Sequence, residues 1–133
     1  MSRRKYAPIP AEIERVGTAV LDASFKVHTA LGPGLLESAY ETALEYELRK
    51  RGLSVATQVV VPIQYEGQLL ESGFRMDLLV EKCVIVELKA VEIMNPVFEA
   101  QLLTYLRLSG VRLGFLMNFS ASRLKDGIKR IVV

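Results

Sequence analysis

Residues 75–89 read Arg75-Met76-Asp77-Leu78-Leu79-Val80-Glu81-Lys82-Cys83-Val84-Ile85-Val86-Glu87-Leu88-Lys89, and this stretch decides the fold. Two aliphatic runs flank a short polar segment, which is the pattern of a β-hairpin. A three-residue turn at Glu81-Lys82-Cys83 sets Val80 opposite Val84 and Asp77 opposite Glu87, and directly opposed residues share one face of a sheet. Period two then brings Lys89 to the face of Glu87. The other face carries Met76, Leu78, Val80, Val84, Val86 and Leu88, an unbroken apolar surface expected to be core. A two-residue turn would slip the pairing by one and part the carboxylates.

Opposed carboxylates repel, so something positive must lie between them. One account is a solvated ion cluster in which Lys89 balances Asp77 and Glu87. The other is a metal site. The apolar run Val84-Ile85-Val86 favours the second, because charges in the middle of so apolar a strand are costly unless used. Carboxylate oxygens suit Mg²⁺ or Mn²⁺, which bind through one or two carboxylates and complete their shell with water and phosphate oxygens.

Outward from the hairpin, the pattern is helical at the N-terminal side. Ile13, Val16, Val20, Val27 and Leu31 recur at three- and four-residue spacing until Gly32-Pro33-Gly34 interrupts them. A second helix is expected over about 35–51, with Leu36, Tyr40, Ala43, Leu44 and Leu48 facing inward and Arg49-Lys50-Arg51 in its last turn before Gly52. Residues 55–65 are rich in β-branched side chains, with Pro62 marking an edge or bulge. Glu66-Gly67 turns the chain into a strand over 68–80, where Gly73 marks a second bulge. Asn95-Pro96 caps and starts a helix that runs to Ser109, and residues 111–118 return as a strand parallel to residues 84–90. The order is α-α-β-β-β-α-β, a mixed α/β domain.

The chain of 133 residues is half apolar and 24% charged, enough for one domain over 11–133 behind a flexible arm at 1–10. A single cysteine, Cys83, excludes an intrachain disulfide and a Cys-rich zinc site, and it suits a reducing compartment. No signal-peptide core follows the basic start, and no apolar run reaches membrane-span length. A cytoplasmic protein is expected. The net charge of +2 lacks the footprint of a non-specific nucleic-acid binder, and the clusters Arg3-Arg4-Lys5, Arg49-Lys50-Arg51 and Arg123 to Arg130 read as solvated faces. A mean hydropathy of +0.25 is high for a small domain and points to a homodimer or a stable protein partner. His28 reads as a structural histidine near a helix end, and Tyr40 as core.

Asp77 followed by Glu87-x-Lys89 resembles the PD-(D/E)XK nuclease signature, with Met76 in place of its proline. Residues 73–77 are similar to the G-x-x-x-D form of that motif, and Gln101-x-x-x-Tyr105 resembles the Q-x-x-x-Y motif of RecB-like nucleases. Gly34-x-x-Glu37-x-x-Tyr40 resembles the signature of the small GxxExxY proteins of the same superfamily. The likeness runs from about Ile13 to Val132, and the order and spacing of the motifs make it specific where each alone is weak. One departure is Phe98, which stands three residues before Gln101 where a histidine is expected.

The resemblance implies a restriction-endonuclease-like core with a mixed sheet flanked by helices. It implies that Asp77, Glu87 and the Leu88 backbone carbonyl hold Mg²⁺ or Mn²⁺, with Glu37 a further candidate ligand. Lys89 would orient or deprotonate the attacking water and offset charge in the transition state. Gln101 and Tyr105, one helical turn apart, would steady Lys89 or a phosphate. For Glu37 a helix-dipole role is an equal account, and for Gln101 and Tyr105 the plain account is a polar flank beside Leu102 and Leu106. The function implied is hydrolysis of nucleic-acid phosphodiester bonds, DNA favoured over RNA. The rival is a catalytically silent nuclease-fold subunit for binding or assembly, active only within a larger complex.

Overall fold

The computed structural model describes residues 7–71 and 74–133. Helix α1 (Ala11–Leu31) buries Val16, Val20, Ala23 and Val27 on one stripe. Helix α2 (Glu37–Lys50) buries Tyr40, Leu44 and Leu48. It starts two residues later than the pattern suggested, and Leu36, expected to face inward, is 78% exposed. Leu36 takes the extended N-cap position, so it falls off the helical stripe. The loop before it turns at Gly34, whose φ of 112° favours glycine. The Tyr40 hydroxyl closes that loop: it donates to the Gly32 carbonyl (2.6 Å) and accepts from the Leu35 N–H (3.1 Å). Its ring stacks on Phe119 at 4.7 Å.

Seven strands and a third helix follow: β1 (Val55–Val60), β2 (Ile63–Tyr65), β3 (Gln68–Leu70), β4 (Arg75–Val80), β5 (Val84–Lys89), α3 (Pro96–Ser109), β6 (Leu113–Asn118) and, after a 3-10 turn at Leu124–Gly127, β7 (Ile128–Val132). The main sheet runs β1-β4-β5-β6-β7, with β5 and β6 parallel and every other pair antiparallel. Strands β2 and β3 form a separate two-stranded ribbon. The expected order is thus corrected in three places. The 55–65 run divides at Val61-Pro62, where proline has no N–H for a ladder. The 68–80 run divides into β3 and β4, and the bulge expected at Gly73 lies outside the described residues. The basic C-terminal tail is a full edge strand, β7, paired with β6.

The decisive hairpin has the expected register: Val80 opposes Val84 and Leu78 opposes Val86. Glu81 and Lys82 take left-handed φ values of 50° and 56°, which suit the twist of a hairpin turn. Both faces of the sheet are covered. Helices α1 and α2 pack on Leu78, Val80, Val84, Val86 and Leu88, while α3 packs Leu102, Tyr105 and Leu106 on Ile85 and Leu116. Strands β5 and β6 are therefore buried almost throughout, which explains their continuous apolar runs.

The surface charges behave as solvated faces. Arg49 pairs with Glu45, Arg51 with Glu47, Arg123 with Asp126, Lys129 with Glu99 and Arg130 with Glu14. The cluster Arg3-Arg4-Lys5 lies outside the described residues, as does the arm through residue 6. Residues 7–10 have no regular structure, and Arg112 donates to the carbonyls of Ala7 and Pro8. His28 is structural: its Nε2 lies 2.8 Å from the Ala121 carbonyl, which can only accept, so that nitrogen carries the proton. No helix among the described residues is long and apolar enough to cross a membrane.

Candidate active site

The β4–β5 ladder ends at Leu78 and Val86, one pair short of the two carboxylates. From there the side chains replace the ladder. The Asp77 N–H donates to Glu87 Oε1 at 3.0 Å, and the Leu88 N–H donates to Asp77 Oδ2 at 2.8 Å. The expectation of a plain cross-strand pair is corrected in this sense: Asp77 and Glu87 interlock, each bonded to the other strand's backbone. On its other side Asp77 meets a second interruption. Thr57 opposes Leu78 and Val59 opposes Met76, but Gln58 between them is skipped and holds a left-handed φ of 51°.

The pleat inverts across this point. Met76 was expected on the face of Leu78, yet it packs with Ile85 and Tyr105 on the α3 side. Val55 and Val59 divide between the two clusters in the same way. Gln58 interrupts the ladder without inserting a residue, since the pairs Thr57 with Leu78 and Val59 with Met76 keep one register, and the faces exchange across it.

Glu87 is buried at 6% exposure, and Asp77 is half-buried. Burial is the main cause that raises the Glu87 carboxyl to about 8; the Asp77 charge adds to it, and the Lys89 charge opposes it weakly. Tyr105 lies near enough to feel both charges. Its hydroxyl is pushed up by burial first and then by the Glu87 and Asp77 charges. Lys89 closes β5, half-buried, with its Nζ 4.2 Å from the centre of the Phe98 ring. Its backbone is held by β6: the Phe119 N–H donates to the Lys89 carbonyl at 2.8 Å. The buried Asn118 side chain then brackets Val91, donating to its carbonyl (2.9 Å) and accepting from its N–H (3.2 Å).

The structure thus brings together Asp77, Glu87, the Leu88 backbone, Lys89 and Tyr105. Gln101 sits one turn before Tyr105, half-buried, with no hydrogen bond to the cluster among the described residues. Glu37 is exposed at the start of α2, and among the described residues its charge bears on Glu41. Glu41 is the carboxylate that the sequence reading passed over. It accepts from Gln58 Nε2 at 3.1 Å, and Gln58 also donates to Asp77 Oδ1 at 3.3 Å. Burial raises the Glu41 carboxyl against the pull of the Gln58 bond, and the Asp77 charge adds to the rise. The four-residue step from Glu37 to Glu41 puts both on one helix face and could have signalled it. Nothing local signals Gln58 or Asn118.

The donor set fits a hard divalent ion. Burial and the Asp77 charge keep a proton on Glu87, and a bound cation would relieve the pair once that proton is lost. Among the described residues no cluster of three His, Cys, Asp or Glu side chains forms an all-protein cage. Two carboxylates suit an ion that takes the rest of its shell from water and phosphate.

A mixed α/β sheet whose central hairpin parts at an Asp–Glu pair, with a lysine two residues on, has the architecture of a restriction-endonuclease-like domain. The family model of the PD-(D/E)XK nuclease superfamily matches residues 14–131, and the chain belongs to that superfamily. Comparison with curated proteins and with solved structures returns no match.

Proposed function

We propose that this protein is a DNA nuclease that hydrolyses phosphodiester bonds with a water activated by Mg²⁺ or Mn²⁺, and that it belongs with the GxxExxY proteins. The interlocked pair of Asp77 and Glu87 with Lys89 beside it carries the reading. Asp77, Glu87 and the Leu88 carbonyl would hold the ion, which would supply Lewis acidity toward a phosphoryl oxygen and a more acidic water. To serve as a ligand Glu87 would first give up its proton to solvent. Lys89 would orient the attacking water or help deprotonate it, and as a cation would offset the charge that builds on the phosphoryl oxygens. Tyr105 and Gln101 steady Lys89 or a phosphate oxygen from α3. Gly34, Glu37 and Tyr40 support the subfamily, and the RecB-like Gln101-x-x-x-Tyr105 supports DNA. A homodimer in the cytoplasm completes the proposal, on the high mean hydropathy and the free thiol of Cys83.

The test is a panel of labelled single- and double-stranded DNA and RNA with Mg²⁺, Mn²⁺ or EDTA. DNA cleavage is expected with metal only, and Lys89→Ala should lower the rate about 100- to 1,000-fold. Absence of cleavage on every substrate overturns the reading. One observation favours a catalytically silent subunit instead: Phe98 holds the Lys89 amine against its ring. A phenyl ring can neither donate to a phosphate nor bind metal, as a histidine there could. Cleavage by Phe98→His but not by wild type would decide for that second reading.

A further inference from the structure

We infer that Gln58 is a positioning residue for the metal site, holding Asp77 in its ligating pose through an amide that only a left-handed backbone can deliver. The inference rests on the reading of Asp77 and Glu87 as metal ligands. Three observations carry it. Gln58 lies in the middle of β1, where a left-handed φ of 51° is costly for any residue with a β-carbon. The ladder keeps its register on both sides of Gln58, so no residue is inserted and the interruption falls at the position opposite Asp77. The side chain it displaces reaches two carboxylates from one nitrogen, Asp77 Oδ1 at 3.3 Å and Glu41 at 3.1 Å.

Together with the Leu88 N–H on Oδ2, the Gln58 amide gives each Asp77 oxygen its own donor. The carboxylate is then fixed in direction before an ion arrives. Ligands oriented by such outer partners bind metal more tightly, commonly by tenfold to a hundredfold. Glu41 is the far anchor: it holds the Gln58 amide from α2 and so joins the helix to the hairpin. A strained residue kept at a site for its side chain is the arrangement that pre-organisation requires.

The experiment separates the amide from the strain. Wild type, Gln58→Gly, Gln58→Ala and Asp77→Asn are titrated with Mn²⁺, and each is melted in EDTA. Both Gln58 variants lack the amide, but only glycine accepts the φ without cost. Gln58→Gly should therefore melt above Gln58→Ala, while both lose about tenfold in Mn²⁺ affinity. Asp77→Asn should lose binding altogether. A Gln58→Gly protein that binds Mn²⁺ as tightly as wild type overturns the inference and leaves the metal reading standing. A wild type that binds no Mn²⁺ overturns both.

Discussion

At Glu87 a single carboxyl couples folding to pH. Its value rises from 4.5 to about 8 in the metal-free protein, chiefly through burial, so the native state binds a proton that the unfolded chain has lost. Stability from this group is whole below pH 4.5 and is lost as pH climbs through about 8. In EDTA, wild type should become less stable across that window. Glu87→Gln should flatten the loss and be the more stable protein at its alkaline end, by about 1–3 kcal/mol. Thermal melts of both proteins over the pH series check this. A slope equal in the two would place the buried proton elsewhere. Lys89, half-buried at the end of β5, instead sets its amine 4.2 Å from the centre of the Phe98 ring.

Among the elements, the loop between α1 and α2 and the end of β6 set the frame of the site. Tyr40 belongs to the motif that names the resembling family, yet its hydroxyl is spent on Gly32 and Leu35 and its ring on Phe119. Tyr40→Phe should cost about 1–2 kcal/mol in urea unfolding and leave Mn²⁺ affinity unchanged. A change in affinity without a change in stability would return Tyr40 to the chemistry. Gly127 closes the turn that brings β7 back along β6. A β-carbon there would lie 2.6 Å from the Asn118 carbonyl oxygen and 3.0 Å from the Ala121 β-carbon. Neither neighbour is the end of a flexible chain, so Gly127→Ala should destabilise by about 1–3 kcal/mol. Because Asn118 brackets Val91 just beyond Lys89, the same variant should also weaken cleavage. A variant as stable as wild type in urea would show that the turn yields.

At the scale of the whole molecule, a small domain leaves apolar side chains in water. Leu36, Tyr46, Tyr65 and Ile93 are each more than 60% exposed. Light scattering at tens of micromolar should report a dimer, and a monomer with no co-purifying partner would count against it. The hairpin register, the parallel crossover and the caps were legible in the chain because turns, periods and capping residues are local. Asp77, Glu87 and Lys89 came together for the same reason: a three-residue turn sets their pairing within fifteen residues of sequence. Where the local pattern breaks, it reads less well. Met76 keeps the parity of Leu78 in the sequence but not its face, and the change falls where Gln58 of β1 interrupts the ladder. Gln58 and Glu41 reach Asp77 only after β1 pairs with β4 and α2 packs above them. So the sequence by itself determined the α/β class, the hairpin and its charged trio. Only the tertiary structure decided the interlocked carboxylates, the burial that holds a proton on Glu87, and the amide between two acids, because each depends on groups that meet through packing between distant segments.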